Sequence, residues 1–251
     1  MANHNLIQYN IFHPFTNLVA FTTRKNTLGN GLLKFTGNDP EMFRKYRQQL
    51  ANILGIGLNQ LVFPRQTHTG NVAEISNIPD NEPENTDALI TNKPGICLCI
   101  QTADCAPVLL YDSQRDVIAA VHAGWRGTVL KIAENTILEM KNKFGSAPKN
   151  IHALIGPSIS SEIYEVGEEV VKAVHENIPH AETSIRQYPG EKSHFDLWEA
   201  NRRILLSCGV LPANIEIFGA CSYQKDNDFF SARRDGVETG RNVSGIMLLQ
   251  P

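Results

Sequence analysis

Three segments of the chain end alike: an apolar run leads into a reactive side chain and then a tight turn of small residues. They are Val62-Phe63-Pro64-Arg65-Gln66-Thr67-His68-Thr69-Gly70, Thr102-Ala103-Asp104-Cys105-Ala106-Pro107 and Ala119-Ala120-Val121-His122-Ala123-Gly124-Trp125-Arg126-Gly127. Strand ends hold side chains rigidly over a cleft, as a ligand or catalytic group requires. Imidazole and thiolate are the donors preferred by zinc and copper, whereas magnesium and calcium take oxygen. Three donors, His68, Cys105 and His122, would leave a fourth position open, the pattern of catalytic zinc. Water bound there would be acidified toward a pKa of about 7. Asp104, beside Cys105, is placed to orient a ligand histidine or to act as a base. On residue types and spacing alone, however, a core thiol and hydrogen-bonded histidines are the commoner outcome. The separations match no compact metal motif.

Other chemistry-bearing residues support two readings each. Gly124 and Gly127 permit close approach of the backbone to a ligand, and the following helix would offer free N–H groups to an anion with Arg126 nearby. A plain structural turn explains the same residues. The stretch Phe229-Phe-Ser-Ala-Arg-Arg-Asp-Gly236 with Thr239-Gly-Arg241 could bind phosphate or pair internally with Asp235 and Glu238, and the structural role is preferred. Cys97 and Cys99 share one face of a strand and read as core packing. Cys208 and Cys221 read as structural, and His152, His175, His180 and His194 as surface or packing residues.

The elements that must position these groups are short. Strands are expected at Leu18–Thr23, Leu61–Phe63, Asn71–Ile75, Ala88–Thr91, Ile96–Thr102, Pro107–Tyr111, Val117–His122, Ile151–Ile155, Ile215–Phe218, Phe229–Ala232 and Val243–Leu249. Several are apolar almost throughout, which implies cover on both faces. Asp39-Pro40 reads as a helix start, with apolar spacing continuing to Ile53. Further helices are expected from Gly127 to Phe144, near Val166–Ile178, and over Asp196–Ser207. Pro179–His194 reads as a long surface loop. Strands and helices mix without strict alternation, predicting an α+β fold in a single domain over residues 1–251, with a mixed parallel and antiparallel sheet flanked by helices.

Composition bounds the rest. The chain has 251 residues, 42% hydrophobic and 20% charged, with a net charge of −3. That charge predicts no attraction to nucleic acid or anionic lipid. No apolar run approaches the roughly 18 residues of a membrane span. The start, Met-Ala-Asn-His-Asn-Leu-Ile-Gln, has neither a basic nor an apolar signal region. Five cysteines, an odd number, fit reduced thiols. A cytoplasmic location is expected.

At these motifs the chain resembles the YfiH-like, laccase-domain family, also called peptidoglycan editing factors or purine nucleoside phosphorylases. The resemblance is carried by Gln66-Thr-His68, Thr86-Asp-Ala-Leu-Ile-Thr91, Thr102-Ala-Asp-Cys-Ala-Pro-Val-Leu109 and His122-Ala-Gly-Trp-Arg-Gly127. It continues through Ile155-Gly-Pro-Ser-Ile-Ser160, Tyr164-Glu-Val-Gly167, Phe195-Asp-Leu-Trp-Glu-Ala-Asn-Arg202 and Phe229–Gly236. The resemblance implies that His68, Cys105 and His122 bind zinc or copper. It also implies a fold related to the catalytic domain of a cytotoxic necrotizing toxin that uses a Cys–His pair. Activities attributed to such proteins are phosphorolysis of adenosine, inosine and methylthioadenosine, deamination of adenosine, and oxidation of phenols. Arg47 matches a family arginine that contacts the nucleoside, although Tyr46 replaces the usual asparagine. A glycine-rich loop is shortened to Lys25–Gly37, and Thr69 stands where glycine is common.

Three enzyme classes follow. A metal-dependent purine nucleoside enzyme would take Arg47 and Arg126 as its phosphate ligands and Asp104 as proton carrier. A copper oxidase acting on phenols would, if multicopper, need about ten or more His and Cys ligands, and the chain has only eight histidines. A Cys–His hydrolase or amidase acting on peptidoglycan precursors would use Cys105 as nucleophile and His122 as base. A non-enzymatic metal-binding partner protein is the fourth alternative.

Overall fold

The computed structural model describes residues 6–29, 33–36, 40–187 and 190–250. Asp39, expected to cap the first helix, lies outside them, as does part of the Lys25–Gly37 loop. In chain order the elements are β1 (Leu6–Ile7), β2 (Leu18–Thr23), α1 (Pro40–Leu54), β3 (Leu61–Val62), β4 (Val72–Glu74), β5 (Ala88–Thr91), β6 (Cys97–Thr102), β7 (Ala106–Asp112) and β8 (Val117–Ala123). Then follow α2 (Trp125–Val129), α3 (Ile132–Phe144), β9 (Ile151–Ile155), α4 (Glu168–Asn177), β10 (Ile185–Arg186), β11 (His194–Phe195), α5 (Leu197–Ser207), β12 (Ile215–Ile217), α6 (Ala232–Asp235) and β13 (Asn242–Leu248).

The fold is α+β, with two mixed sheets rather than one. One sheet has the order β1-β2-β13-β6-β3 and the other β12-β9-β7-β8-β5-β4. In the first, only β3 and β6 are parallel; in the second, β4 with β5 and β12 with β9 are parallel. The sheets face each other across Leu98, Ile100, Ile246 and Leu248 on one side and Leu89, Leu109, Ile118, Ala120 and Leu154 on the other. The outer face of the second sheet carries α3, α4 and α5 through Ile137, Met140, Val174, Ala200 and Ile204. The outer face of the first carries α1 through Leu50 and Ala51. The central strands are therefore covered on both faces, which is why β7 and β8 are buried throughout and mostly apolar without alternation. Cys97 and Cys99 point together toward α1, their sulfurs 3.6 Å apart. All five cysteines are free.

Four expected elements come out differently. Pro64 cannot donate to the ladder, and β3 stops at Val62. The helix expected from Gly127 starts at Trp125 and breaks into α2 and α3, because Lys131 adopts φ 56 in the left-handed region. The strand expected at Phe229–Ala232 is absent. Instead, the Asn242 amide accepts from Phe230 N–H at 3.1 Å and donates to Phe230 C=O at 3.1 Å and Thr102 C=O at 3.3 Å. One side chain thus does what a neighbouring strand would do, and α6 follows with Ser231 as its N-cap. Within the expected loop Pro179–His194, β10 and the first residue of β11 pair as a two-stranded ribbon, with residues 188–189 outside those described.

The close approach of β13 to β2 and β6 depends on Gly245. A Cβ there would lie 2.7 Å from the Phe21 ring and 3.2 Å from Cys99 Sγ. Both neighbours are fully buried. Gly245→Ala is expected to lower unfolding stability by about 1–3 kcal/mol, the range for overpacking a closed interior. Urea denaturation checks this, and an unchanged midpoint would mean the layers yield without strain.

Candidate metal centre

The three strand ends singled out above converge at one edge of the sandwich. The turn Ala103-Asp104-Cys105 carries the chain from β6 in one sheet to β7 in the other. Register then pairs Ala106 with Ala123 and Pro107 with His122, setting Cys105 beside Gly124. His68 arrives on the connection between β3 and β4. One ligating atom from each of His68, Cys105 and His122 lies within 4.8 Å of the others. Cys105 Sγ is 3.9 Å from His68 Nε2, and the imidazole centroids are 4.9 Å apart. A tetrahedral zinc holds such donors about 3.3–3.8 Å from one another, given bonds of about 2.0–2.3 Å. Small side-chain rotations reach that spacing, and two nitrogens with one thiolate suit zinc or copper. A Cβ on Gly124 would sit 2.8 Å from Cys105 Sγ and 3.1 Å from His68 Cδ2, so only glycine allows the backbone to pass beneath the donors.

The group that aligns the two histidines of this triplet is Asp87, which sequence reasoning did not single out. It is fully buried immediately before β5. Its carboxylate accepts from the backbone N–H of Thr67 at 3.2 Å, His68 at 3.0 Å and Thr69 at 2.6 Å, and from Thr69 Oγ1 at 2.8 Å. It also accepts from His122 Nδ1 at 2.8 Å. An ionised carboxylate only accepts, so the His122 proton sits on Nδ1 and Nε2 is left for a metal. The backbone N–H bonds hold His68 at φ 62, a conformation unfavourable for a residue with a Cβ. The sequence signal was Thr86-Asp87-Ala88 at the foot of a strand, within a stretch matched only as a family motif.

Charge follows from this geometry. Burial alone would raise Asp87, but its bonds to the His122 imidazole and to Thr69 outweigh that and hold its carboxyl well below the usual range. Burial likewise opposes ionisation of Cys105. The His122 charge, with hydrogen bonds from both histidines, overcomes it and brings the thiol down to about 6. Burial would lower His122, yet the Cys105 thiolate and Asp87 raise it to about 9. Without metal, the pair is a thiolate beside an imidazolium.

The triplet lies in a groove of about 670 Å³ whose walls include Gln66, Gln101, Tyr164, Arg233 and Arg241. Gln66 and Gln101 clasp each other: Gln66 Nε2 donates to Gln101 C=O and Gln101 N–H donates to Gln66 Oε1, both at 2.8 Å. Asp104 also lines the groove, at φ 93. Its carboxylate accepts from Ser222 Oγ and from Arg233 N–H, each at 2.7 Å, and makes no contact with either ligand histidine. The histidine-orienting role expected of Asp104 therefore belongs to Asp87.

The arginines sort differently from expectation. Arg126 is exposed, stacks on Trp125 at 4.4 Å, and is not part of the groove wall. Arg47 lines a separate cavity of about 690 Å³, where it pairs with Glu82, donates to Phe35 C=O at 2.7 Å and lies over Phe63. Phe35 N–H in turn donates to Gln101 Oε1 at 2.8 Å, linking Arg47 indirectly to the groove. Within the arginine-rich turn, Arg234 has the structural role, bonding Asp235 and the carbonyls of Ser222, Tyr223 and Phe229. Arg233, its neighbour, faces the groove.

The chain belongs to the YfiH-like, laccase-domain family: the family described as multi-copper polyphenol oxidoreductase laccase matches residues 20–249. Among its relatives, a purine nucleoside phosphorylase of Bacteroides thetaiotaomicron is 40% identical over 97% of this chain and 96% of its own. The adenosine deaminase RL5, from an unknown prokaryotic organism, is 41% identical over 87% of this chain and 86% of its own. The crystal structure of Bacillus licheniformis protein YfiH superposes with a TM-score of 0.88 at 29% identity, covering 97% and 96% of the two chains.

Two outcomes follow. Asp87→Asn should weaken zinc binding about 10- to 100-fold, the usual effect of losing a ligand-orienting partner; competition with a chromophoric chelator measures it, and unchanged affinity would contradict the role given to Asp87. In chelator-stripped protein, alkylation of Cys105 by iodoacetamide should rise with pH through a midpoint near 6, because the thiolate reacts and the thiol does not. His122 stays protonated up to about 9, so the activating charge persists across neutral pH. A midpoint in the ordinary thiol range would show that the two side chains are not paired.

Proposed function

We propose that the groove is the active site of a metal-dependent purine nucleoside enzyme. It would cleave adenosine, inosine and methylthioadenosine with phosphate and deaminate adenosine. The observation that carries this reading is the convergence of His68, Cys105 and His122 in one groove. The chain's relatives named purine nucleoside phosphorylase and adenosine deaminase support it. Zinc or copper held by the three side chains would act as a Lewis acid and make water nucleophilic near neutral pH.

Both reactions balance within this site. In phosphorolysis the C1′–N9 bond breaks and its electron pair leaves with the base, a phosphate oxygen bonds to C1′, and the proton that phosphate gives up is taken by the base. In deamination a water oxygen adds at C6 and ammonia leaves, so the oxygen remains on the purine. The protein's part is to fix the geometry: Asp87 keeps the His122 ring in one tautomer and orientation, and the Gln66–Gln101 clasp supplies a rigid wall. In this reading Asp104 is a positioning residue for the Arg233 backbone rather than the proton carrier. Arg47 acts from its separate cavity, through Phe35 and Gln101.

A second reading has its own observation. Asp87, His122 and Cys105 form a hydrogen-bonded Asp–His array beside a thiol brought down to about 6, which is the constitution of a thiol hydrolase. Cys105 cannot be metal ligand and nucleophile at once, so metal dependence separates the two. Phenol oxidation by a multicopper mechanism is disfavoured, since among the described residues one group of three metal-ligating side chains is found.

The test is turnover of adenosine and inosine by stripped and metal-loaded protein, with and without phosphate, followed by chromatography of the products. The proposal expects inosine cleavage to need both metal and phosphate, and adenosine conversion to inosine to need metal alone. No turnover of any nucleoside by the loaded protein would overturn it. Amide hydrolysis that survives chelator would favour the second reading.

A further inference from the structure

Two arginines of the groove are bonded to backbone carbonyls rather than to a carboxylate among the described residues. Arg241 immediately precedes β13, whose first residue, Asn242, pairs with Thr102 at the end of β6. Its side chain is thereby set beside the Ala103-Asp104-Cys105 turn and lines the groove. The guanidinium is half-buried and donates to three carbonyls, those of Val237, Thr239 and Gly240. Carbonyls accept hydrogen bonds but carry no charge; burial pulls the Arg241 pKa down, against the weaker opposing pull of Cys105, Glu238 and Asp104. Arg233 stands on the same groove wall. Its guanidinium lies 5.3 Å from the centre of the Tyr164 ring and makes a single hydrogen bond among the described residues, to Glu165 C=O at 3.2 Å. Neither arginine is paired with a carboxylate among the described residues. The contrast with the other cations near the site is sharp: Lys34 pairs with Glu238 and Arg47 with Glu82.

The placement of Arg233 is fixed from its backbone. Asp104 Oδ2 accepts from its N–H, and the Asn242 amide pins the preceding Phe230 to the end of β6. Its side chain emerges from this double clamp over Tyr164, whose own ring packs against Phe195. Both guanidinium groups therefore line the groove that holds the triplet, each with N–H donors beyond those its carbonyl bonds use. A guanidinium offers paired N–H groups matching two oxygens of a tetrahedral oxyanion, and the interaction strengthens where water is partly excluded.

We propose that Arg233 and Arg241 form the subsite for the phosphate co-substrate, in place of Arg47 and Arg126. The identity of the anion rests on the nucleoside reading above; the existence of an oxyanion subsite does not. Phosphate held there would stand in the same groove as the three candidate metal ligands. Asp104, Asn242 and Tyr164 are its positioning residues.

The experiment measures inorganic phosphate binding to metal-loaded protein by calorimetry, alongside the KM values for phosphate and inosine. Arg233→Ala should weaken phosphate binding about 10-fold or more, the scale of losing a charge-assisted hydrogen-bonding group, and raise the phosphate KM alike. The KM for inosine should move by no more than about twofold, a split that general misfolding would not produce. Arg233→Lys should recover part of the affinity through its charge without the fork. Arg126→Ala, on the outer surface, should bind phosphate as the unaltered protein does. Phosphate affinity unchanged in Arg233→Ala, or no phosphate binding at millimolar concentration by the unaltered protein, would overturn the inference. Binding that depends on Arg233 without any phosphate-dependent cleavage would instead overturn the phosphorylase reading and leave the oxyanion subsite standing.

Discussion

The carboxylate of Asp87 is the constraint on which the site depends. A buried carboxylate is costly unless its lone pairs are used, and here five donors from two separate segments use them. Three come from successive backbone N–H groups, so the turn carrying His68 is wrapped around the charge. The fifth is the ring of His122 at the end of β8. One buried charge thus fixes the direction of two of the three candidate ligands, and the left-handed backbone at His68 persists because the same bonds hold it. Cys105 completes the set from the other direction, on the turn that passes between the sheets.

The two-sheet architecture explains why these segments can meet. Neither sheet alone would bring the end of β6 to the end of β8. The crossover at Ala103–Cys105 does so, and Gly124 gives the backbone room beneath the sulfur. The far end of the chain then closes the groove, where Asn242 ties the arginine-rich turn to β6. The result is a rigid floor carrying the three candidate ligands with Arg233 and Arg241 on its wall, built from strand ends and short turns rather than long loops. Such rigidity suits a reaction in which reacting groups must be held in register.

Much of this was legible in the sequence. The central strands announce themselves as unbroken apolar runs, and each member of the triplet follows such a run at a small-residue turn, but spacing alone favours core packing and the family resemblance is what marks the three as ligands. The second sheet was not legible, since an apolar strand shows that both faces are covered but not by what. Asp87 escaped because the groups it serves lie 18 to 35 residues away in sequence. Phe229–Ala232 has the composition of a strand, and only the remote Asn242 amide replaces the ladder. Arg233 and Arg234 are neighbours of the same type with opposite fates, decided by which way a four-residue helix turns. Arg126 looked well placed beside two glycines, yet stacking on Trp125 carries it to the surface.

The most direct test of the account is X-ray absorption at the zinc edge of protein loaded with one zinc per chain, before and after Cys105→Ser. The account predicts one sulfur at about 2.3 Å and two imidazole nitrogens at about 2.0–2.1 Å, with the sulfur shell lost in the variant. A first shell of nitrogen and oxygen alone, or one unaltered by the substitution, would contradict the central claim that His68, Cys105 and His122 hold the metal together.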